Sequence, residues 1–490
     1  MLSILWGCKK ENPGPANQGG TTTPTDTIKA FSVSSVLQSN MVVQRDKPFV
    51  VWGNGPANLK VTVNVSWNNT AFNAVTDSIG NWHVTIPATG VNANPQTILA
   101  KAQGFNAVTL NNILIGDVWV CSGQSNMVYP VDSIAPFDGV INFRSEIGAA
   151  NYPMIRTFTV PEDSETDPQI DLRSTPVWRI CSPTTVGTTS AVAYYFARKL
   201  NTTLNVPVGI IISAVNGSYG QDWTNAAAIQ SDPTVASYYS FGSSVYYNGM
   251  INPLINLSIK GFTWYQGENN QADFPVSNYT LLNTALIEGW RTVFNQPQLP
   301  FYFVQLTPFA ADYYNTSPVG GDTTADYLAL FREAQAKVRS VFNTGMAVTM
   351  DVGEADNHHP RNKKPVGERL ALMALNYTYG ESVQCVGPQY ASFTANQNTA
   401  TVSFVPGTAN GLNTTNNDPL KQLFFVAGSD GVLRQGHASI NGNTVVITAP
   451  QSTPLPIVSI RYAFTNSAIS NLQNSAGLPA EPFRTDMASN

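Results

Sequence analysis

Cysteine, histidine and charge are all scarce in this sequence, and each scarcity excludes something. Four cysteines in 490 residues cannot build a disulfide framework. Cys8, Cys121, Cys181 and Cys385 also lack the close pairing of a zinc site, and buried core thiols are the expectation for those in apolar surroundings. Charged residues make up only 12% of the chain and the net charge is −5, which gives no basic footprint for nucleic acid or for an anionic membrane surface. Only four histidines are present, so any chemistry that needs an imidazole must draw on His83, His358, His359 or His437.

What is plentiful points to a folded, β-rich protein. An apolar fraction of 43% is that of a chain with sizeable cores, and the length allows two to four domains. Glycine (36) and proline (32) indicate many turns and long polar loops. Residues 1–29 read as the end of a lipoprotein-type signal followed by a flexible linker, with Gly7 preceding Cys8 and a Pro-, Gly- and Thr-rich run after it. The expectation is export to the periplasm or cell surface, with a membrane tether through a lipidated Cys8, although Trp6 is unusual for such a motif.

Residues 30–107 carry only strand patterns, such as Phe49–Gly53, Leu59–Val65, Trp82–Ile86 and Thr97–Ala100, and a small β-sandwich is expected there. From 108 to 384 short apolar strands alternate with helices. Ser190–Leu200, Tyr279–Val293, Tyr327–Val338 and a last helix from Pro365 to Gly380 separate strands at Val206–Ile212, Phe301–Leu306 and Met346–Met350. This alternation implies an α/β domain whose mostly parallel sheet is covered on both faces. From 385 to 490 strands return alone, at Ala400–Phe404, Gln422–Ala427, Thr444–Thr448 and Ile457–Phe464, as a second β-region. The segment Tyr129–Val177 is long, polar and without a clear pattern, which suits a loop that shapes a cleft.

The chemistry concentrates at strand ends. The apolar run Val118–Val120 breaks into Cys121-Ser122-Gly123-Gln124-Ser125-Asn126-Met127, a turn that lifts the Ser125 hydroxyl out at the carboxyl edge of the sheet, where open α/β sheets bind ligands. Asn126 and Met127 stand where the Gly-x-Ser-x-Gly elbow needs its second glycine, so this is a different hydrolase arrangement. A serine needs a base. His83 and His437 lie in the β-regions as ordinary strand histidines, which leaves the loop Asp351–Pro360 after the strand at Met346–Met350. Asp356 and His359 are three apart, a spacing that brings both side chains to one side of a turn, so Asp356 can accept a hydrogen bond from the imidazole Nδ1–H and leave Nε2 to take the serine proton. His358 is expected to point elsewhere. Two further strand ends offer donors for a developing oxyanion: Ser213–Ser218, with Gly217, and Gln266–Asn270, with an amide and a carboxylate.

At these residues the sequence resembles the sialate O-acetylesterase family, a branch of the SGNH-type carbohydrate esterases. The resemblance is carried by Ile113–Met127, Tyr247–Met250, Gly261–Glu268 and His359-Pro360-Arg361-Asn362-Lys363. It extends to Asn40–Arg45 and Pro482–Asp486 in the two β-regions. It implies a flavodoxin-like SGNH hydrolase domain flanked by N-terminal and C-terminal β-sandwich-like regions, a serine hydrolase that needs no cofactor or metal, and an O-acetylated carbohydrate as substrate. By position it implies Ser125 as nucleophile, His359 as base and Asp356 as orienting acid. It also implies an oxyanion hole made by the N–H groups of Ser125 and Gly217 with Gln266, and support from Gln124, Glu268 and Asn270. The chain departs from the family at Ala214-Val215-Asn216-Gly217-Ser218, where the family has Ser-Trp-Gly-Gly-Thr. That change bears on the pocket, and it leaves a competing reading: a non-catalytic carbohydrate-binding surface lipoprotein with a decayed esterase domain. Arg144, Arg156 and Arg361 are the cations available for an acidic sugar.

Overall fold

The molecule is organised on one long strand. In the computed structural model, which describes residues 30–273, 275–309 and 327–486, strand β1 (Val108–Gly123) runs for 16 residues through two parts of the protein. Its first half pairs antiparallel with Asn92–Ala102 and, at Leu114–Gly116, parallel with Val42–Gln44. Its second half is the centre of the α/β sheet. The boundary expected between residues 107 and 108 is therefore crossed by continuous sheet. The join is sealed by polar contacts, since Gln44 Oε1 accepts the Val118 N–H at 2.8 Å and Arg45 holds the fully buried Asp117 carboxylate at 2.9 Å.

The α/β sheet contains β2 (Tyr152–Thr159), β3 (Arg179–Cys181), β4 (Val208–Ala214), β5 (Gly261–Tyr265), β6 (Phe301–Val304) and β7 (Thr344–Ala347), in the spatial order β3-β2-β4-β1-β5-β6-β7. All neighbours are parallel except β3 on β2. Leaving out the edge pair β2 and β3, the chain order across the sheet is 2-1-3-4-5, which reverses direction beside β1 and opens a crevice at the carboxyl ends of β4, β1 and β5.

Strands buried on both faces read as unbroken apolar runs, and β1 shows why. Trp119 and Cys121 point to one face, among residues of helices α2 (Ala191–Leu204) and α5 (Lys364–Met373). Val118 and Val120 point to the other, among residues of α3 (Ser277–Val293) and of both β-regions. A short helix α1 (Ser125–Val128) follows β1 directly, and α4 (Tyr327–Lys337) stands between β6 and β7. Cys121, Cys181 and Cys385 are buried free thiols, and burial pushes the first two up to about 12. Cys8 lies outside the described residues.

Residues 385–486 add two four-stranded antiparallel sheets. They are pinned to the α/β part by the fully buried Arg332, whose guanidinium donates to the carbonyls of Leu306, Thr465 and Asn466 at 2.8–2.9 Å. The Tyr129–Val177 segment is more ordered than its composition suggests, since it includes the helix Phe143–Gly148 and strand β2. Four successive buried residues, Ile155–Phe158, erase the alternation by which a half-exposed strand announces itself. No helix among the described residues is long and apolar enough to cross a membrane.

Candidate active site

Ser125 stands where β1 ends. Gly123 leaves the strand at φ +141°, and a Cβ there would meet the Tyr265 carbonyl of β5 at 2.1 Å, so the close approach of the two strands demands glycine. Gln124 is extended, and Ser125 is the first residue of α1, where a backbone N–H has no partner within the helix. The His359 loop leaves the neighbourhood of β7 and returns toward this turn. His359 Nε2 and Ser125 Oγ are 2.7 Å apart, the geometry required for a base to take the serine proton.

Both reacting groups are largely withdrawn from solvent, and the imidazole is held by rings. Phe137 meets it edge-on at 5.2 Å, and His358 packs at 3.9 Å between centroids. His358, expected to point elsewhere, lines the same cavity. Burial, reinforced by the charges of His358 and Lys363, pushes His359 down to about 3 from its ordinary 6.5, so its neutral, basic form is the one present at neutral pH.

A buried network fixes this pair, and the sequence does not announce it. Lys363 is fully buried; its Nζ donates to Asn126 Oδ1 and sits 4.7 Å over the Tyr129 ring. Asn126 Nδ2 donates to Glu268 Oε1 and, at 2.9 Å, to the His358 carbonyl. The residue beside the nucleophile thus grips the peptide that carries the base, with a cation on one side of its amide and a carboxylate on the other. Burial lowers Lys363 to about 7, opposed by Glu268 and Glu354, and raises Glu268.

The other expected residues fall into two groups. Gly217, at φ +69°, lines the cavity beside Ser125, and its N–H has no hydrogen-bond partner among the described residues. Gln124 and Glu268 line the cavity too. Gln266 and Asn270 lie behind it, fully buried and bonded to each other at 2.7 Å. Asp356 is not brought to His359. The Asn357 N–H closes a turn on the Glu354 carbonyl at 3.2 Å, which leaves Asp356 exposed at the tip, and it makes no hydrogen bond to the imidazole. Asn357 holds the loop instead, accepting the His359 N–H at 2.9 Å and donating to Glu354 and to the His359 carbonyl at 3.0 Å.

The cavity that Ser125 faces has a volume of about 290 Å³. Pro136 and Phe137 of the long polar segment form one wall, and the others include the exposed Asn216 and the half-buried Asn269, whose amide donates to the Gly217 carbonyl. Arg144, Arg156 and Arg361 do not line it; Arg156 and Arg361 donate instead to the carbonyls of Pro153 and Gly139. No group of three His, Cys, Asp or Glu side chains among the described residues is placed to hold a metal ion. The residues that sequence reasoning missed are Asn126, Lys363, Phe137 and Asn216. Lys363 was visible only as the end of the His359–Lys363 run, and nothing in that run says that the lysine is buried.

Residues 115–376 match the family model described as carbohydrate esterase, sialic acid-specific acetylesterase. The chain is 30% identical over 392 residues to the sialate O-acetylesterase of Homo sapiens, covering 72% of each, and 28% identical over 413 residues to that of Mus musculus, covering 72% of this chain and 74% of the relative. Among solved structures, a carbohydrate acetylesterase from Xanthomonas citri superposes with a TM-score of 0.83 at 31% identity, over 93% of this chain and 99% of that one.

Proposed function

We propose that this chain, which belongs to the sialic acid-specific acetylesterase family of carbohydrate esterases and is a carboxylic ester hydrolase, removes O-acetyl groups from a carbohydrate through an acetyl-serine at Ser125. The observation that carries this reading is the 2.7 Å contact between Ser125 Oγ and His359 Nε2 at the floor of a cavity. As Oγ attacks the acetyl carbonyl, His359 takes its proton. The tetrahedral intermediate collapses, the carbon–oxygen bond to the sugar breaks, and His359 returns the proton to the sugar oxygen. Water, deprotonated by the same imidazole, then attacks the acetyl-serine, the bond from the acetyl carbon to Oγ breaks, and His359 returns the proton to Ser125 Oγ as acetate leaves. The SGNH-type, flavodoxin-like description of the catalytic domain belongs to the same proposal, supported by the 2-1-3-4-5 strand order and by the serine at the end of its first strand.

Asp356 is assigned as the orienting acid by position. Of the nearby carboxylates, Glu354 is engaged with the N–H of Arg361 and the amide of Asn357, and Glu268, after β5, with Asn126, whereas Asp356 has no hydrogen bond to any described residue and lies three residues before His359. A turn of its side chain toward Nδ1 in the substrate complex completes a Ser-His-Asp triad. The substrate sugar is proposed as sialic acid or a plant or xylan-type glycan, and the protein as exported and tethered through Cys8. Replacing Ser125 by Ala tests the whole reading. Acetate release from acetylated sialosides and xylo-oligosaccharides falls about 10⁴–10⁶-fold; near-normal turnover by that variant removes Ser125 from the mechanism.

A further inference from the structure

The cavity at Ser125 offers hydrogen-bonding groups and no positive charge. Among the described residues no lysine or arginine lines it, and the ionisable groups that do are Glu268, His358 and His359. Burial lowers both imidazoles, so neither carries a positive charge at neutral pH. Lys363 is fully buried and gives its Nζ to Asn126. Two oxygens of lining residues, Glu268 Oε2 and Gln271 Oε1, are buried without a donor among the described residues. A sugar carboxylate brought here would meet acceptors in place of the guanidinium fork or ammonium that anion recognition uses.

One side chain is placed to read a neutral sugar. Val215 to Ser218 close a tight turn, with the Ser218 N–H and Oγ both bonded to the Val215 carbonyl, at 3.4 and 2.9 Å. The turn is fixed at both ends, because the Val215 N–H donates to the Gly123 carbonyl at 3.2 Å and Trp223 Nε1 to Ser218 Oγ at 2.9 Å. Gly217, at φ +69°, fills the position where such a turn calls for glycine. Asn216 stands beside it at the tip. It is exposed, it lines the cavity, and its amide makes no hydrogen bond to any described residue. The amide of Asn269, by contrast, is committed to the Gly217 carbonyl. An amide offers a donor and an acceptor together, which suits a hydroxyl that is itself both. The family run has glycine where this chain has Asn216, so the free amide is a departure of this chain, one residue from the Gly217 N–H beside Ser125.

We infer that Asn216 is a sugar-recognition residue of this esterase, its amide binding a free hydroxyl close to the acetylated oxygen, and that the substrate is a neutral O-acetylated glycan rather than an O-acetylated sialic acid. The inference rests on the acetyl-serine reading above and narrows its substrate. The contact is made to the sugar and not to the acetyl group, so it acts on binding of the glycan rather than on attack by Ser125.

The test uses the full chain with acetylated xylo- and manno-oligosaccharides, an acetylated sialoside, and 4-nitrophenyl acetate, which has no sugar. The parent is expected to turn over the better neutral ester with a kcat/KM at least about tenfold above that on the sialoside, whose carboxylate finds no counter-charge. Asn216→Ala is expected to lower the ratio of kcat/KM on that neutral ester to kcat/KM on 4-nitrophenyl acetate about 3–10-fold, chiefly through KM, as one neutral hydrogen bond is lost. Asn216→Gly carries the same expectation if the Ala variant does not fold. A ratio within about 1.5-fold of the parent's overturns the role of Asn216, and so does an equal loss on both esters, which makes the residue a support for the serine turn. A parent that does not prefer a neutral ester to the sialoside overturns the substrate class. If the parent releases acetate from none of these esters, or Ser125→Ala releases it normally, the acetyl-serine reading fails and this inference falls with it.

Discussion

The two halves of the loop that carries His359 are built in opposite ways. His358–Lys363 is clamped from below: Asn126 holds the His358 carbonyl, Lys363 is buried against Asn126 and two tyrosine rings, and Arg361 reaches the Gly139 carbonyl. Ala355–Asp356 is an exposed turn tip with no such contacts. The contrast separates two tasks that a triad is usually described as sharing. The position of the imidazole is set by the buried half, through the residue next to the nucleophile. Under the proposed mechanism, the exposed half is left to supply charge to Nδ1 when substrate is present.

The sharpest way to break this division is Asp356→Asn. If the turn tip orients the working imidazole, kcat falls on the order of 10²–10⁴-fold with the fold unchanged, because the tautomer is lost. A kcat within a few-fold of the parent leaves a Ser125–His359 pair that works without it. Next in size is Lys363→Met. Removing this cation leaves Glu268 buried without a counter-charge and loosens Asn126, so kcat is expected to fall about 10–100-fold. Thermal stability drops as well, since the buried Asn126 loses its donor and the buried Glu268 loses the cation whose charge bears on it. Because Glu268→Gln disturbs the same network, the double variant should lose much less than the product of the single losses. Independent effects would mean that Asn126 does not couple them.

The smallest effect is a shift along the pH axis. The neutral imidazole is the base, so kcat/KM rises as pH rises through the His359 pKa of the free enzyme and is flat above it. With that pKa near 3, full activity extends well below the ordinary histidine midpoint of 6.5, as far as the protein stays folded. Lys363→Met removes one of the two charges that oppose protonation, so its acid limb moves to higher pH. His358 is the other charge bearing on His359, and Glu268 and Glu354 bear on Lys363. An acid limb at 6.5 or above in the parent would mean that a carboxylate, with Asp356 first among the candidates, already engages the imidazole without substrate.

Much of the catalytic arrangement was legible because it follows from strand ends. The apolar run before Ser125, the scarcity of histidine and the acidic turn before His359 lead to a serine and a base on neighbouring loops, and the structure brings them to 2.7 Å. The apolar stripe expected on the last helix held for Val366, Leu370 and Met373, which are buried, but not for Tyr377, which lies beyond the end of α5 in a π-helical turn and is exposed. What sequence could not give depends on partners distant in the chain. Lys363 reads as a solvated lysine until Asn126 and Glu268 surround it. Gln266 reads as an open donor until Asn270, Ser218 and Gln124 use its protons. The boundary expected before Val108 fell at the first residue of β1, whose outer half pairs with strands of the N-terminal β-region while its inner half is buried on both faces.

The claim on which all of this depends is that Ser125 attacks. A fluorophosphonate that mimics the tetrahedral state, added to the intact protein and followed by mass measurement of the peptides, tests it most directly. One equivalent is expected to bind at Ser125, with acetate release lost in step with labelling. Undiminished acetate release from protein fully labelled at Ser125 would contradict it. So would an absence of labelling in a chain that still binds glycan, which is the outcome expected of a decayed, carbohydrate-binding domain.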